Sequence, residues 1–287
     1  MFNLFNQIVS DPVYHRQLSC GEALITKYNC PLDSKMQDFW SQRHYIAYVI
    51  EGRKTWHTAH GSYDLRKGSC VFVRKGATIV EQFFDSVFCI VLFFVSDEFI
   101  VDVLKSKRRP LLRSEKKFEA IMPVNRSDSL DGFFLSMIPF FGDSKVPDSS
   151  LLELKFRELI LTIADDPLNT EIQAFFTSMI NAPQSMTLQQ VMNDNYCFNM
   201  RMEEYAQLSN RSLSAFKRDF QKQFETTPGK WLLEKRLNHA MNLLSNTNKT
   251  VSETAFESGF ESPSHFSRAF RRQFGMAPTA VRQRATA

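Results

Sequence analysis

The chain has 287 residues, of which 43% are hydrophobic and 23% charged, with a net charge of +4. That length and apolar content suit about two globular domains. No apolar run of about 18 residues is present, so no membrane-spanning helix is expected. Residues 1–11 lack a basic n-region, so no secretory signal is expected. The five cysteines, Cys20, Cys30, Cys70, Cys89 and Cys197, are odd in number and scattered. They form neither a disulfide framework nor a zinc motif, and a reducing cytosol is the expected compartment. The charge is uneven. From residue 183 onward there are 14 Lys and Arg against 9 Asp and Glu, and before it 21 against 22, so the positive excess lies at the C-terminal end.

Residues 20–95 read as β structure. Tyr45–Ile50 is a strand, Lys54–His60 alternates, Gly61-Ser62 fits a turn, and Ser69–Arg74 and Thr78–Val95 follow, punctuated by Gly68 and Gly76. Several short strands with regular turns predict a sandwich or small barrel. Its aromatic residues, including Phe39, Trp40, Tyr45, Tyr48, Trp56, Phe72 and Phe88, are either core or the lining of a pocket. In the second case Tyr45 and Trp56, with Arg43, Arg74 or Lys75 meeting an anionic group, are the candidate ligand residues.

From residue 97 the pattern is helical. Asp148–Ala164 places Leu152, Phe156, Leu159, Ile160 and Ile163 on one face, with Ser150 and Glu153 spaced as a capping box. Ile172, Phe175, Phe176 and Met179 repeat the helical spacing, and residues 181–185, containing Pro183, read as a linker. Beyond it everything reads as helix. Pro228–Leu244 is one helix with Leu233, Leu237, Ala240, Met241 and Leu244 as its buried stripe; Thr250 and Glu253 have capping-box spacing; Ser262 is an N-cap followed by Pro263 at N1.

The C-terminal segment carries one motif twice. Ser212, Ser214, Phe216, Arg218, Phe220, Gln223, Phe224 and Pro228 recur fifty residues later as Ser262, Ser264, Phe266, Arg268, Phe270, Gln273, Phe274 and Pro278. Each copy opens with a short helix holding Ala206 or Ala255, then a turn at Asn210 or Gly259, the two residue types that most readily take positive φ. A Ser N-cap and a second helix follow, which is the layout of a helix-turn-helix whose second helix enters a major groove. Phe216, Phe220 and Phe224, like Phe266, Phe270 and Phe274, form one apolar stripe that reads as core. The opposite face then holds Ser214, Lys217, Arg218 and Gln221 in the first copy, and Ser264, His265, Ser267, Arg268 and Arg271 in the second. Arg and Lys suit guanine edges and phosphates, and Ser and Gln suit either. Arg218 and Arg268 can instead form internal salt bridges to the preceding helix, and His265 can be a plain surface residue. A joining helix of seventeen residues spans about 25 Å, against about 34 Å between successive major-groove turns on one face of DNA.

These residues resemble the DNA-binding domain of AraC/XylS-family transcription regulators over residues 187–283. The second copy carries the likeness through Ala255, Gly259-Phe260, Ser262 to Gly275 and Pro278, and the first more weakly through Ala206, Ser212, Phe216 to Phe220 and Pro228. The resemblance implies two helix-turn-helix units, about residues 201–225 and 250–275, reading an asymmetric promoter site as a single chain, with base-reading positions at Ser214, Lys217, Arg218, Ser264, His265, Ser267 and Arg268. Asp219 departs from it as an acid on the first recognition helix.

The resemblance also implies an N-terminal cupin-like domain over residues 1–181, with a barrel at about 20–95 and helices at about 97–181, that senses a ligand or mediates dimerisation. Tyr45–Gly52, Leu65 to Gly68 and Phe72–Gly76 fit that barrel. The metal-binding cupin pattern is broken: Ile79 stands where a His is usual, and His44, His57 and His60 do not replace it. No metal or cofactor is therefore expected. The fold class expected is α+β, a cupin-like barrel with a helical linker region plus an all-α domain of two helix-turn-helix units joined by a long helix. The expected function is that of a cytosolic transcription activator, not an enzyme. Its partners would be double-stranded DNA, RNA polymerase, a second copy through the helices of residues 131–180, and a small effector or a regulatory protein. The other readings are a regulator held by a protein antagonist with no small ligand, and a cupin metalloenzyme with a helical appendage.

Overall fold

The segment Cys89–Val95 is apolar at every position and buried at every position. A strand does this only when both of its faces are covered, and this strand marks the middle layer of the first of two compact units. A computed structural model describes residues 1–11, 17–29, 35–83, 87–107, 118–142, 147–181 and 187–285. The units are Met1–Ser185 and Met186–Ala287. The linker expected at residues 181–185 lies, from 182 on, outside the described residues.

The first unit contains two facing sheets. One orders β1 (Phe2–Asn3), β4 (Met36–Ser41), β9 (Gly76–Gln82), β6 (Arg53–His57) and β7 (Ser62–Arg66). The other orders β11 (Ile121–Pro123), β8 (Cys70–Val73), β5 (His44–Glu51), β10 (Cys89–Val95), β3 (Ala23–Asn29) and β2 (Gln17–Cys20). The expected barrel is thus an open double sheet rather than a closed cylinder. The stretch read as Thr78–Val95 divides into β9 and β10, one in each sheet.

Alternation within the second sheet separates two cores. Tyr45, Ala47, Val49, Val71, Val73, Ile90, Leu92 and Phe94 face the other sheet and meet Phe39, Trp56, Leu65 and Val80. Ile46, Phe72, Val91, Phe93 and Val95 face the helices α2 (Asp97–Lys105), α3 (Asp128–Gly142), α4 (Ser149–Asp165) and α5 (Thr170–Asn181), and meet Ile100, Phe133, Phe156, Ile160, Phe175 and Phe176. Period two alone assigns each of these residues to its core. The short α1 (Leu4–Ser10) adds Leu4 and Ile8 to the core between the sheets. α4 is capped by Asp148, whose carboxylate accepts from the Ser150 N–H. The capping box read at Ser150 and Glu153 is therefore displaced, and Glu153 instead accepts from Arg157 at 2.9 Å.

A polar cluster ties the second sheet to its helices. His44 on β5 is 1% exposed. Its Nδ1 accepts the Lys75 backbone N–H at 3.0 Å, which places the ring proton on Nε2, 2.9 Å from Asp97 of α2. The Lys75 ammonium binds the other Asp97 oxygen at 2.6 Å. Burial lowers the His44 pKa, outweighing the hydrogen bond to Asp97. Burial also opposes ionisation of Asp97, but the His44 hydrogen bond and the Lys75 charge prevail and hold its carboxyl well below the usual range.

The second unit is helical: α6 (Leu188–Asn195), α7 (Met202–Leu208), α8 (Leu213–Phe224), α9 (Pro228–Asn246), α10 (Val251–Glu257), α11 (Pro263–Phe274) and α12 (Pro278–Ala285). Thr250 and Glu253 form the expected capping box, and Ser262 caps α11 with Pro263 at N1. Along α9 the buried residues are Pro228, Leu232, Leu237, Ala240 and Leu244, whereas Leu233 is exposed. The single stripe read through Leu233 fails because α9 serves two neighbours. Trp231 meets Phe220 and Phe224 of α8, while Leu237, Ala240 and Leu244 pack with Phe266 and Phe270 of α11.

Two stability measurements follow. Asp97→Asn should cost about 3 kcal/mol at pH 7, since it leaves a buried Lys75 charge without its partner. A carboxyl with a depressed folded pKa contributes fully above its unfolded value of about 4 and loses that contribution as pH falls further. In chemical denaturation, wild type and variant should therefore begin to approach each other below about pH 4 and meet only well below it, where the depressed Asp97 carboxyl protonates in the folded state. Glu225, the C-cap of α8, holds φ 55°, where the second copy has Gly275 at φ 72°. Glu225→Gly should raise stability by about 0.5–1 kcal/mol, seen as a rise in Tm.

Candidate nucleic-acid interface

Both recognition helices are built by the same local rules. Ser212 accepts the Ala215 N–H at the start of α8, and Ser262 accepts the His265 N–H at the start of α11, each supplying one of the N–H acceptors a helix start needs. The turns before them require positive φ, and Asn210 (53°) and Gly259 (83°) provide it. Phe216, Phe220, Phe266 and Phe270 are fully buried, and each such ring contributes roughly 1.5–3 kcal/mol through burial. Phe224 and Phe274 close each stripe, half-buried, at 4.4 Å from Phe220 and 4.6 Å from Phe270 between ring centroids.

With that face buried, the opposite one is presented to solvent. Ser214, Lys217, Arg218 and Gln221 are exposed on α8; Ser264, His265, Arg268 and Arg271 are exposed on α11, and Ser267 is partly so. The His265 ring rests 5.8 Å from Phe260 and is thereby oriented as well as exposed.

The two faces differ electrically in a way the spacing of the repeat does not reveal. On α8 the Asp219 carboxylate accepts from Arg218 at 3.1 Å and from Arg211 at 3.3 Å. Desolvation opposes ionisation of Asp219, but the hydrogen bonds from Arg218 and Arg211 and their charges together override it, lowering its pKa. Arg218 thus pairs with its own neighbour rather than with the preceding helix. The position matching Asp219 on α11 is Ala269, so Arg268, Arg271 and Arg272 face solvent on a helix without an acid. Arg211 was not legible as part of this face because its link to Asp219 spans eight residues across the N-cap and first turns of α8; an acid among basic residues was the only signal.

The candidate ligand residues of the first unit divide between locations. Tyr45 and Trp56 meet inside the double sheet, rings 6.1 Å apart. Arg43 lies over the Phe5 ring at 4.4 Å and pairs with Glu22. Arg74 turns the other way, donating to the Phe118 carbonyl at 2.9 Å and lying 5.3 Å over Phe175. The four do not converge on one cavity. The void beside Trp56 measures about 30 Å³, space for about one water. A larger groove of about 670 Å³ lies between β5, β10 and α3, bordered by Tyr48, Val91, Phe134 and Ile138 with Lys67 and Arg126 at its rim. Among the described residues no group of three or more His, Cys, Asp or Glu is arranged to hold a metal.

The sequence profile of the ExsA N-terminal regulatory domain matches residues 44–175, and that of a helix-turn-helix domain matches residues 205–284. The chain is 25% identical over 237 residues to the virulence regulon transcriptional activator VirF of Yersinia enterocolitica, covering 82% of this chain and 87% of VirF. It is 25% identical over 239 residues to the HTH-type transcriptional regulator ExsA of Pseudomonas aeruginosa, covering 82% and 84%. Among solved structures it is similar to apo ToxT from Vibrio cholerae, at 15% identity with a TM-score of 0.44, covering 93% of this chain and 99% of that one.

The Asp219 geometry generates one measurement. Asp219→Asn removes the negative charge beside Arg218 on the exposed side of α8 and beside Arg211, which keeps its bond to the Ser209 carbonyl. Binding to non-specific duplex DNA should tighten severalfold, and the slope of log K against log salt should steepen by about 1 for each added phosphate contact. An unchanged slope in a fluorescence-anisotropy salt titration would show that neither arginine reaches phosphate.

Proposed function

This chain belongs to the AraC/XylS family of transcription regulators, and we propose that it reads an asymmetric promoter site as a single chain, through α8 and α11 in successive major-groove turns. It is a DNA-binding transcriptional activator with an N-terminal regulatory domain, and its family is one of regulators rather than enzymes. One observation carries the asymmetric reading: two copies of one scaffold bear different exposed residues. Lys217 corresponds to Ser267, Ala215 to His265, and Asp219 to Ala269. A palindromic site would ask for the same residues twice.

In this reading Ser214, Lys217, Arg218 and Gln221 contact one half-site, and Ser264, His265, Ser267, Arg268 and Arg271 the other. α11, free of acid, supplies most of the phosphate attraction, while α8 has part of its charge neutralised and depends more on base contacts. Residues 1–181 act as the effector or dimerisation domain and residues 187–287 as the DNA-binding domain. The bound complex engages RNA polymerase in the cytoplasm. No helix among the described residues is long and apolar enough to cross a membrane.

The regulatory input has two readings. A small effector would use the groove beneath α3, since the interior of the double sheet is filled. A protein partner, either an antagonist or a second copy, is favoured by the exposed apolar residues Leu135 and Ile138 of α3 and Leu151 and Leu154 of α4. Single exposed apolar residues are ordinary, but four on two packed helices suit an interface.

A mobility-shift assay with genomic fragments at about 150 mM salt tests the DNA reading, which fails if no fragment binds more tightly than competitor. Arg268→Ala should weaken the selected site by about 1–3 kcal/mol, and an unchanged affinity would return Arg268 to the plain surface. A thermal-shift screen separates the two inputs, since a ligand at 100 times its Kd stabilises by roughly 2.7 kcal/mol; light scattering of Leu135→Glu and wild type reports whether α3 joins two copies.

A further inference from the structure

The two recognition helices belong to units with separate cores. Phe266 and Phe270 pack with Leu237, Ala240, Leu244, Ala255 and Phe260, while Phe216 and Phe220 lie on the side of Trp231. What fixes one unit against the other is a contact around Arg236, at the middle of α9. Its Nε donates to the Tyr196 carbonyl at 2.6 Å and its terminal nitrogen to the Phe198 carbonyl at 2.7 Å. Both carbonyls belong to the segment between α6 and α7, which leads into the first helix-turn-helix. On its other side the guanidinium abuts the turn of the second. A Cβ placed on Gly259 would stand 2.8 Å from the Cys197 carbonyl and 2.9 Å from Arg236 Nε. Asn199 and Glu261 hydrogen-bond across the same seam. Gly259 therefore has two duties, positive φ for the turn and a backbone approach that no side chain permits.

We propose that Arg236 is the positioning residue that sets the distance and rotation between the two recognition helices, and hence the spacing of half-sites the chain accepts on DNA. The scale of the contact supports this. One inserted base pair moves a half-site by about 3.4 Å along the axis and about 35° around it. Two charge-assisted hydrogen bonds near 2.7 Å do not stretch by that amount, so the wrong spacing is met only by breaking them or by losing one set of DNA contacts. Lysine is no substitute, because an ammonium lacks the planar fork that reaches two carbonyls at once.

The inference rests on the reading that α8 and α11 contact one duplex, and the experiment separates the two. The probe is a duplex selected in vitro from random sequence by the full-length wild-type protein, together with versions carrying one added or one deleted base pair between the protected half-sites. Wild type should lose about 100-fold in affinity on either change. Arg236→Gln and Gly259→Ala should bind the parent duplex about tenfold more weakly, yet lose less than about threefold further when the spacing changes. Val281→Ala, which thins the α12 side of the second copy's core away from the contact, should weaken the fold while keeping wild-type sensitivity to spacing. If wild type itself ignores spacing, the single-duplex reading fails. If wild type is sensitive and the Arg236 and Gly259 variants are equally so, Arg236 does not position the helices. Should Arg236→Gln fail to fold by circular dichroism, Arg236→Lys takes its place; failure of both would make Arg236 a residue of the fold itself and overturn the proposal.

Discussion

A recognition helix has to bury one side to exist and expose the other to act, and the burial of phenylalanine against α9 meets the first demand for both helices. Rings at every fourth position need a partner surface, and α9 offers one to each copy at a different level and on a different side. Trp231 receives Phe220 and Phe224, and Leu237, Ala240 and Leu244 receive Phe266 and Phe270. Once those rings are placed, the rotation of each helix is set and its polar residues have no choice of direction. The joining helix therefore functions as a common core for two small domains that would each be too small to fold securely alone.

The repeat was legible because core packing constrains residues strongly and at fixed spacing. The Ser N-caps, the positive-φ turns at Asn210 and Gly259 and the phenylalanine stripes can all be read from one sequence, since each depends on neighbours within a turn or two. What could not be read depends on which elements meet. Leu233 fits the stripe of α9 by spacing, but the buried side shifts around the helix between Leu232 and Leu237. Asp148 rather than Ser150 caps α4, because the Asp carboxylate already satisfies the N–H that a later cap would leave free. Arg211 reaches Asp219 across the start of α8, and Arg236 reaches Tyr196 and Phe198 from a helix far along the chain.

In the first unit the strands were legible and their closure was not. Alternation tells which residues share a side, yet both sides of β10 are apolar, and a run such as Cys89–Val95 is silent about what covers each. The second sheet proves to be a shared wall between the double-sheet core and the helical core. His44, Asp97 and Lys75 join that wall to α2 through a mutually bonded set of polar groups. Such a set is expensive to disturb, because removing one member leaves a buried charge or donor behind. The set thus fixes α2 against the sheet.

Cys197 lies at the seam between the two helix-turn-helix units, its carbonyl against Gly259. Removal from water pushes its thiol up to about 12. Oxidants and electrophiles attack the thiolate, and a thiol so reluctant to ionise presents almost none near neutrality. The cysteine at this seam is therefore a weak nucleophile near neutral pH, a packing residue rather than a reactive one.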